Sequence, residues 1–269
     1  MNSDPESSDA TEPDRDPTSA TPPSEWEDPP PPPPTALPLI LGVVACVTPT
    51  IAFRAGGTSL WIFMAIGVTV SASIALYLLW ADGMLVAVLR PRGLDLSWGV
   101  AFAAALLLAF VMGFNTWVAP PHEIGGLLRQ CTMDGPRVPR AGDGLVQRFF
   151  EWVRGQTCLG YARTLHIPLS LRGGAVIVIA ALEEIAWRGG VQQSLSERLG
   201  STRGWLAATV LYALAHAATG VVLLPAVALV AGLAWGGLYR YRGRLGSSIA
   251  SHVTFSYFLF HAMPLVVFR

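Results

Sequence analysis

Between Gly173 and Val191 an otherwise apolar run contains Glu183, Glu184 and Arg188, within the stretch Ala181-Leu-Glu-Glu-Ile-Ala-Trp-Arg-Gly-Gly190. The run is about as long as a membrane-spanning helix, which needs roughly 20 residues. Ionised groups at that depth cost at least about 2.5–3.5 kcal/mol each, so they are kept for pairing or for chemistry. On a helix Glu184 and Arg188 stand one turn apart and can pair. Glu183 is offset by about 100° and is left to face something else. Whatever this chain folds into must supply partners for that carboxylate inside an apolar layer.

Composition agrees with a membrane location. The 269 residues are 52% hydrophobic and 13% charged, with mean hydropathy +0.47, where a soluble domain averages about 25% charged. The formal net charge is +0, but nine of the 18 acids lie in residues 1–28, where the only base is Arg15. All bases are Arg, and no basic patch with interleaved aromatics points to nucleic acid.

Residues 1–35 are rich in Asp, Glu, Ser, Thr and Pro and end in Pro29 to Pro34. Such a segment buries no core and reads as a disordered tail on a stiff polyproline stem. Three apolar runs follow in residues 36–118: Ala36 to Phe53, interrupted by Pro49, then Ser59 to Ala81 and Ser97 to Val118. The last two carry no charge, and all three read as transmembrane scaffold. Residues 119–172 form the longest connection. Within it Gly144 to Ala162 suits a helix lying in the membrane interface, placed to cap a site. Cys46 packs as a small hydrophobe. Cys131 and Cys158 stand in the long connection, as a disulfide if it faces an oxidising compartment and as two free thiols otherwise. Residues 173–269 contain four more runs: Gly173 to Leu195, Gly204 to Gly220, Val221 to Tyr239 and Gly246 to Phe268. Ala228, Gly232 and Gly236 recur every fourth residue, a spacing that lets helices approach closely in lipid. The expected fold class is therefore an all-α polytopic membrane protein of about seven transmembrane helices, with a four-helix core at residues 173–269. Orientation is left open: arginines fall on both sides, and only the short loops favour a cytoplasmic amino terminus.

Three polar clusters sit in separate spans: Glu183-Glu184-x-x-x-Arg188, Tyr212-x-x-x-His216 and His252-x-x-x-Ser256. Residues four apart share one helix face, so each cluster makes one polar stripe. Taken singly, each has a bland reading: Glu184 with Arg188 is a structural ion pair, and a lone histidine is a satisfied core residue. Taken together they bring a buried carboxylate to two imidazoles. Glu183 and His216 lie at similar depth, roughly 15–18 Å along their helices, whereas His252 counts as shallower at about 9 Å. A carboxylate beside an imidazole holds and deprotonates a water, and a second imidazole donates to the oxyanion of a tetrahedral intermediate. That is a hydrolase for an acyl bond within the membrane. The chain contains neither a Gly-x-Ser-x-Gly elbow nor a His-Glu-x-x-His zinc helix. His122 and His166 carry no clear signal, and His261 reads as structural or interfacial.

From about residue 173 to 262 the sequence resembles the CPBP family of intramembrane glutamic proteases, which includes the type II CAAX prenyl endopeptidases and bacteriocin-processing or immunity proteins. The family pattern is Glu-Glu-x-x-x-Arg, then aromatic-x-x-x-His, then His-x-x-x-Asn or Asp. Glu183, Glu184, Arg188, Tyr212, His216 and His252 match it, and Ser256 stands where Asn is usual. The resemblance implies that Glu183 activates water with His216 as its partner, that Glu184 and Arg188 support them, and that His252 with Ser256 stabilises the oxyanion. It implies an endopeptidase acting near the carboxyl terminus of a membrane-associated peptide or protein, lipidated or bearing a sorting signal. The setting is a multi-pass protein of a bacterial inner or plasma membrane in contact with its lipids, with no cofactor. Two other readings compete: a zinc protease using Glu183, His216 and His252, and a non-catalytic immunity or partner protein, or a transporter. The charge-free spans argue against transport.

Overall fold

The structure is a computed structural model that describes residues 36–118, 129–131, 144–164, 167–217, 219–262 and 266–268. The acidic, proline-rich region 1–35 and the histidines His122 and His166 lie outside the described residues. Among the described residues ten α-helices carry the fold: α1 (Leu37–Ala55), α2 (Gly57–Ala81), α3 (Leu85–Leu89), α4 (Gly93–Val118), α5 (Leu145–Thr164), α6 (Leu169–Glu184), α7 (Gln193–Leu199), α8 (Ser201–Ala217), α9 (Leu223–Arg242) and α10 (Leu245–Tyr257). A π-helical stretch, Ile185–Gln192, joins α6 to α7, and another, Phe258–Ala262, follows α10. Two short strands, β1 (Arg129–Cys131) and β2 (Val266–Phe268), pair in parallel.

α1, α2, α9 and the Gly93–Gly113 part of α4 are long and apolar enough to cross a membrane, and α5 with the bent run after it makes a fifth if counted as one span. Their outward faces are apolar: Leu39, Ile66, Leu108 and Val230 are each more than half exposed. Helices with apolar faces outside and no water-facing polar stripe are stable only in lipid. The chain is an integral membrane protein. The other expected spans differ from single long helices for local reasons. The first breaks into π geometry at Ile185, α8 has 17 residues, and α10 has 13 before its π turn. The last run also ends earlier than expected, since Val266–Phe268 is a strand rather than helix. Pro49, expected as an interruption, lies inside an unbroken α1.

Close backbone approach holds the array together. A Cβ on Gly99 of α4 would lie 2.5 Å from the Ser247 carbonyl and 2.6 Å from Ala250 Cβ of α10. The small-residue stripe of α9 faces α8, where a Cβ on Gly232 would meet Thr209 at 3.0 Å. Such contacts substitute for a hydrophobic drive that lipid does not provide.

The two ends of the array are bonded differently. At one end Asp95, fully buried at the start of α4, accepts from Arg242 at 2.7 Å, Arg244 at 3.1 Å and the Arg92 amide at 2.9 Å. The charge-free run expected from Ser97 thus begins beside a buried acid. Arg240 donates to Ser201 and Thr202 at the same end. At the other end α5 is tied in on several sides. Trp61 donates to the Thr164 carbonyl at 3.0 Å, Arg163 to the Thr219 carbonyl at 2.5 Å, and Tyr161 to the Leu259 carbonyl at 2.7 Å. Cys158 on α5 is disulfide-bonded and Cys46 is a free thiol.

Removing the acid strands two arginines against a buried turn. Asp95→Asn is expected to cost on the order of 3 kcal/mol, read as earlier melting in detergent and lower accumulation. A variant that melts with the wild type contradicts the role given to this network.

Candidate active site

Glu183 and Glu184 end α6, and both are buried, Glu184 completely. Arg188 follows in the π stretch and is 2% exposed. Widening the helix there turns Arg188 back toward Glu184, with Nε 3.5 Å from Oε2. This is an ion pair without a fork of hydrogen bonds, since Arg188 Nε and Nη2 have no hydrogen-bond partner. Aromatic faces hold the guanidinium instead: its Cζ lies 4.8 Å from the Tyr212 ring centre and 5.9 Å from that of Trp235. Contacts of that kind strengthen in a desolvated site.

His252 on α10 reaches both glutamates. Its Nδ1 is 2.9 Å from Glu184 Oε1, and its Nε2 is 3.8 Å from Glu183 Oε2. A carboxylate only accepts, so Nδ1 carries the proton in the first contact. The ring is clamped between Glu184 and the indole of Trp235, stacked at 3.8 Å between centroids and 19° between planes. Trp235 is itself fixed by its Nε1 donating to Ser251 Oγ at 3.1 Å.

His216 ends α8. Its Nδ1 donates to the Tyr212 carbonyl at 2.8 Å, which leaves Nε2 as an acceptor in the neutral ring. Tyr212 packs edge-on against Trp187 and His216.

Glu183, Tyr212, His216, His252 and Ser256 line one cavity of about 220 Å³. Its remaining walls are mostly apolar and aromatic, with α5 contributing Gln156, Thr157 and Tyr161. All five candidates from the sequence are thus placed. Glu183, Glu184, Arg188 and His252 form one bonded group, and His216 shares the cavity. The pairing differs in one respect: the imidazole within ion-pair range of Glu183 is His252, with His216 turned toward the Tyr212 backbone. His252 is also level with the glutamates, because α10 begins at Leu245 beside the buried Asp95 turn. Trp235 has no counterpart in the sequence reading; its signal is a lone aromatic among the small residues of the α9 stripe. His261 packs its ring against Gly173 and Tyr257, clear of the bonded group. Among the described residues no three His, Cys, Asp or Glu side chains gather as metal ligands would.

Glu184 is the counter-charge on which Arg188 depends. Glu184→Gln is expected to lower unfolding free energy by about 3–5 kcal/mol, and adding Arg188→Met should restore most of the loss. Equal melting of the single variant and wild type in detergent would contradict the pairing.

Residues 166–258, about a third of the chain, match the family described as type II CAAX prenyl endopeptidase Rce1-like. No curated protein and no solved structure matches the chain. The matched segment contains every residue of the bonded group together with Tyr212, His216 and Ser256. Over that segment the chain is similar to the type II CAAX prenyl endopeptidase Rce1-like family.

Proposed function

We propose that the protein is a multi-pass intramembrane endopeptidase that hydrolyses a peptide bond near the carboxyl terminus of a membrane-associated substrate. The observation that carries this reading is the division of labour between adjacent carboxylates. Glu184 is committed to Arg188 and His252, whereas Glu183 lines an open cavity with His216 and His252. In this reading residues 173–269 form a catalytic core of four crossings and residues 36–118 contribute three more.

The proposed reaction needs no covalent intermediate. His216 Nε2 accepts a hydrogen bond from a water, and Glu183 takes that water's proton as it attacks the scissile carbonyl. A C–O bond forms and negative charge collects on the carbonyl oxygen. A doubly protonated His252 donates from Nδ1 to Glu184 and from Nε2 to that oxygen, with the Ser256 hydroxyl one turn along as a second donor. With Glu183 protonated, Glu184 and the oxyanion then balance Arg188 and the imidazolium, so the site stays neutral in lipid. Glu183 returns its proton to the leaving amine as the C–N bond breaks. The apolar walls of the cavity suit an apolar or lipid-bearing terminus, and they exclude bulk water from the oxyanion.

A mass-spectrometric census of membrane-protein carboxyl termini tests this. It compares cells carrying the wild type with cells carrying Glu183→Gln at equal abundance. The proposal expects a set of termini that stay uncut only in the mutant, with their turnover reduced by about 10²–10⁴-fold. Identical termini alongside a phenotype that still requires the protein would favour a binding or immunity role instead.

A further inference from the structure

The ends of the helical array differ in chemistry as well as in bonding. Arg92, Arg242 and Arg244 meet at Asp95, and Arg240 binds the α7–α8 turn that carries Arg198 and Arg203. These are short turns, the kind in which arginines stay on the cytoplasmic face. α5 lies at the opposite end, bonded to the start of α2, to the α8–α9 turn and to the end of α10. That end contains the disulfide at Cys158, and disulfides persist in oxidising compartments. Arg54, Arg163 and Arg172 stand at the α5 end as well, but arginines beside a long connection weigh less in that rule, and the short turns point the same way as the disulfide.

The cavity belongs to the disulfide end. Its lining runs from Glu183, His216 and His252 to Trp61, Gln156 and Tyr161. Among the described residues none of its lining comes from the arginine-bearing turns. We infer that the α5 end faces the non-cytoplasmic side of the membrane. The cavity is loaded from there, and its substrates are apolar carboxyl-terminal segments that emerge on that side. The word substrate rests on the hydrolase reading above; the orientation does not.

The full chain is tested in intact bacterial cells with a membrane-impermeant maleimide. Gly144 and Gly93 are exposed, and a Cβ at either meets nothing within 4 Å, so both accept cysteine. Gly144→Cys, next to α5, should label before lysis. Gly93→Cys, beside the arginine turns, should label only after it. In the unaltered chain Cys158 should resist alkylation until a reductant is added. The reverse labelling pattern, or a Cys158 alkylated without reductant, overturns the orientation whatever the enzyme cuts. Substrates with cytoplasmic termini in the Glu183→Gln census overturn the loading side. A census with no Glu183-dependent termini removes the hydrolase reading, and with it the substrate class, while the labelling result stands.

Discussion

Glu184 is fully buried between Arg188 and His252, and the positions of the other polar groups follow from those two contacts. A lone carboxylate in an apolar layer costs several kcal/mol. With an arginine one turn away and an imidazole from a second helix, it becomes a fixed point to which α6 and α10 are both tied. The π stretch after α6 serves that pairing by setting where Arg188 points. Trp235 and Tyr212 then close over the guanidinium and the imidazole with their faces, supplying contacts that water supplies elsewhere. Because Arg188 and the His252 Nδ1–H are both taken by Glu184, the neighbouring Glu183 is left to face the cavity.

The scaffold explains how such a site opens without collapsing. Helix α2, without a charge, and α4, charged only at Asp95 in its first turn, wall the cavity through residues such as Leu60, Met64 and Phe110. Their outer faces remain apolar toward lipid. Glycine contacts at Gly99 and Gly232 bring α4 to α10 and α8 to α9 without intervening side chains. The Asp95 cluster fixes one end of the array, and α5 with its disulfide fixes the other. Between two fixed ends, the middle can hold open space.

Much of this was legible in the residues and some was not. The three polar stripes announced themselves, because charge and imidazole are conspicuous in apolar runs. The scaffold helices were equally plain from their hydropathy. His252 was misjudged in depth because counting along a run assumes a straight helix entering at a known level. In fact α10 starts hard against the Asp95 turn and ends in π geometry. Asp95 lies just before a charge-free run, and nothing in its local sequence marks it as buried. Its burial depends on arginines about 150 positions later in the chain. Trp235 was silent for another reason: an aromatic in an apolar span gives no sign of which neighbour it faces, and its stacking on His252 is a tertiary fact.

The central claim is that Glu183 and His216 act together on one water. It is tested most directly by single-turnover cleavage of a substrate terminus by the purified protein, comparing Glu183→Gln, His216→Ala and the double variant. Groups that act as a unit are strongly non-additive. The account predicts that Glu183→Gln alone removes nearly all turnover and that adding His216→Ala removes little more, with all three variants folded. Appreciable turnover in Glu183→Gln, or losses that multiply in the double variant, would contradict it.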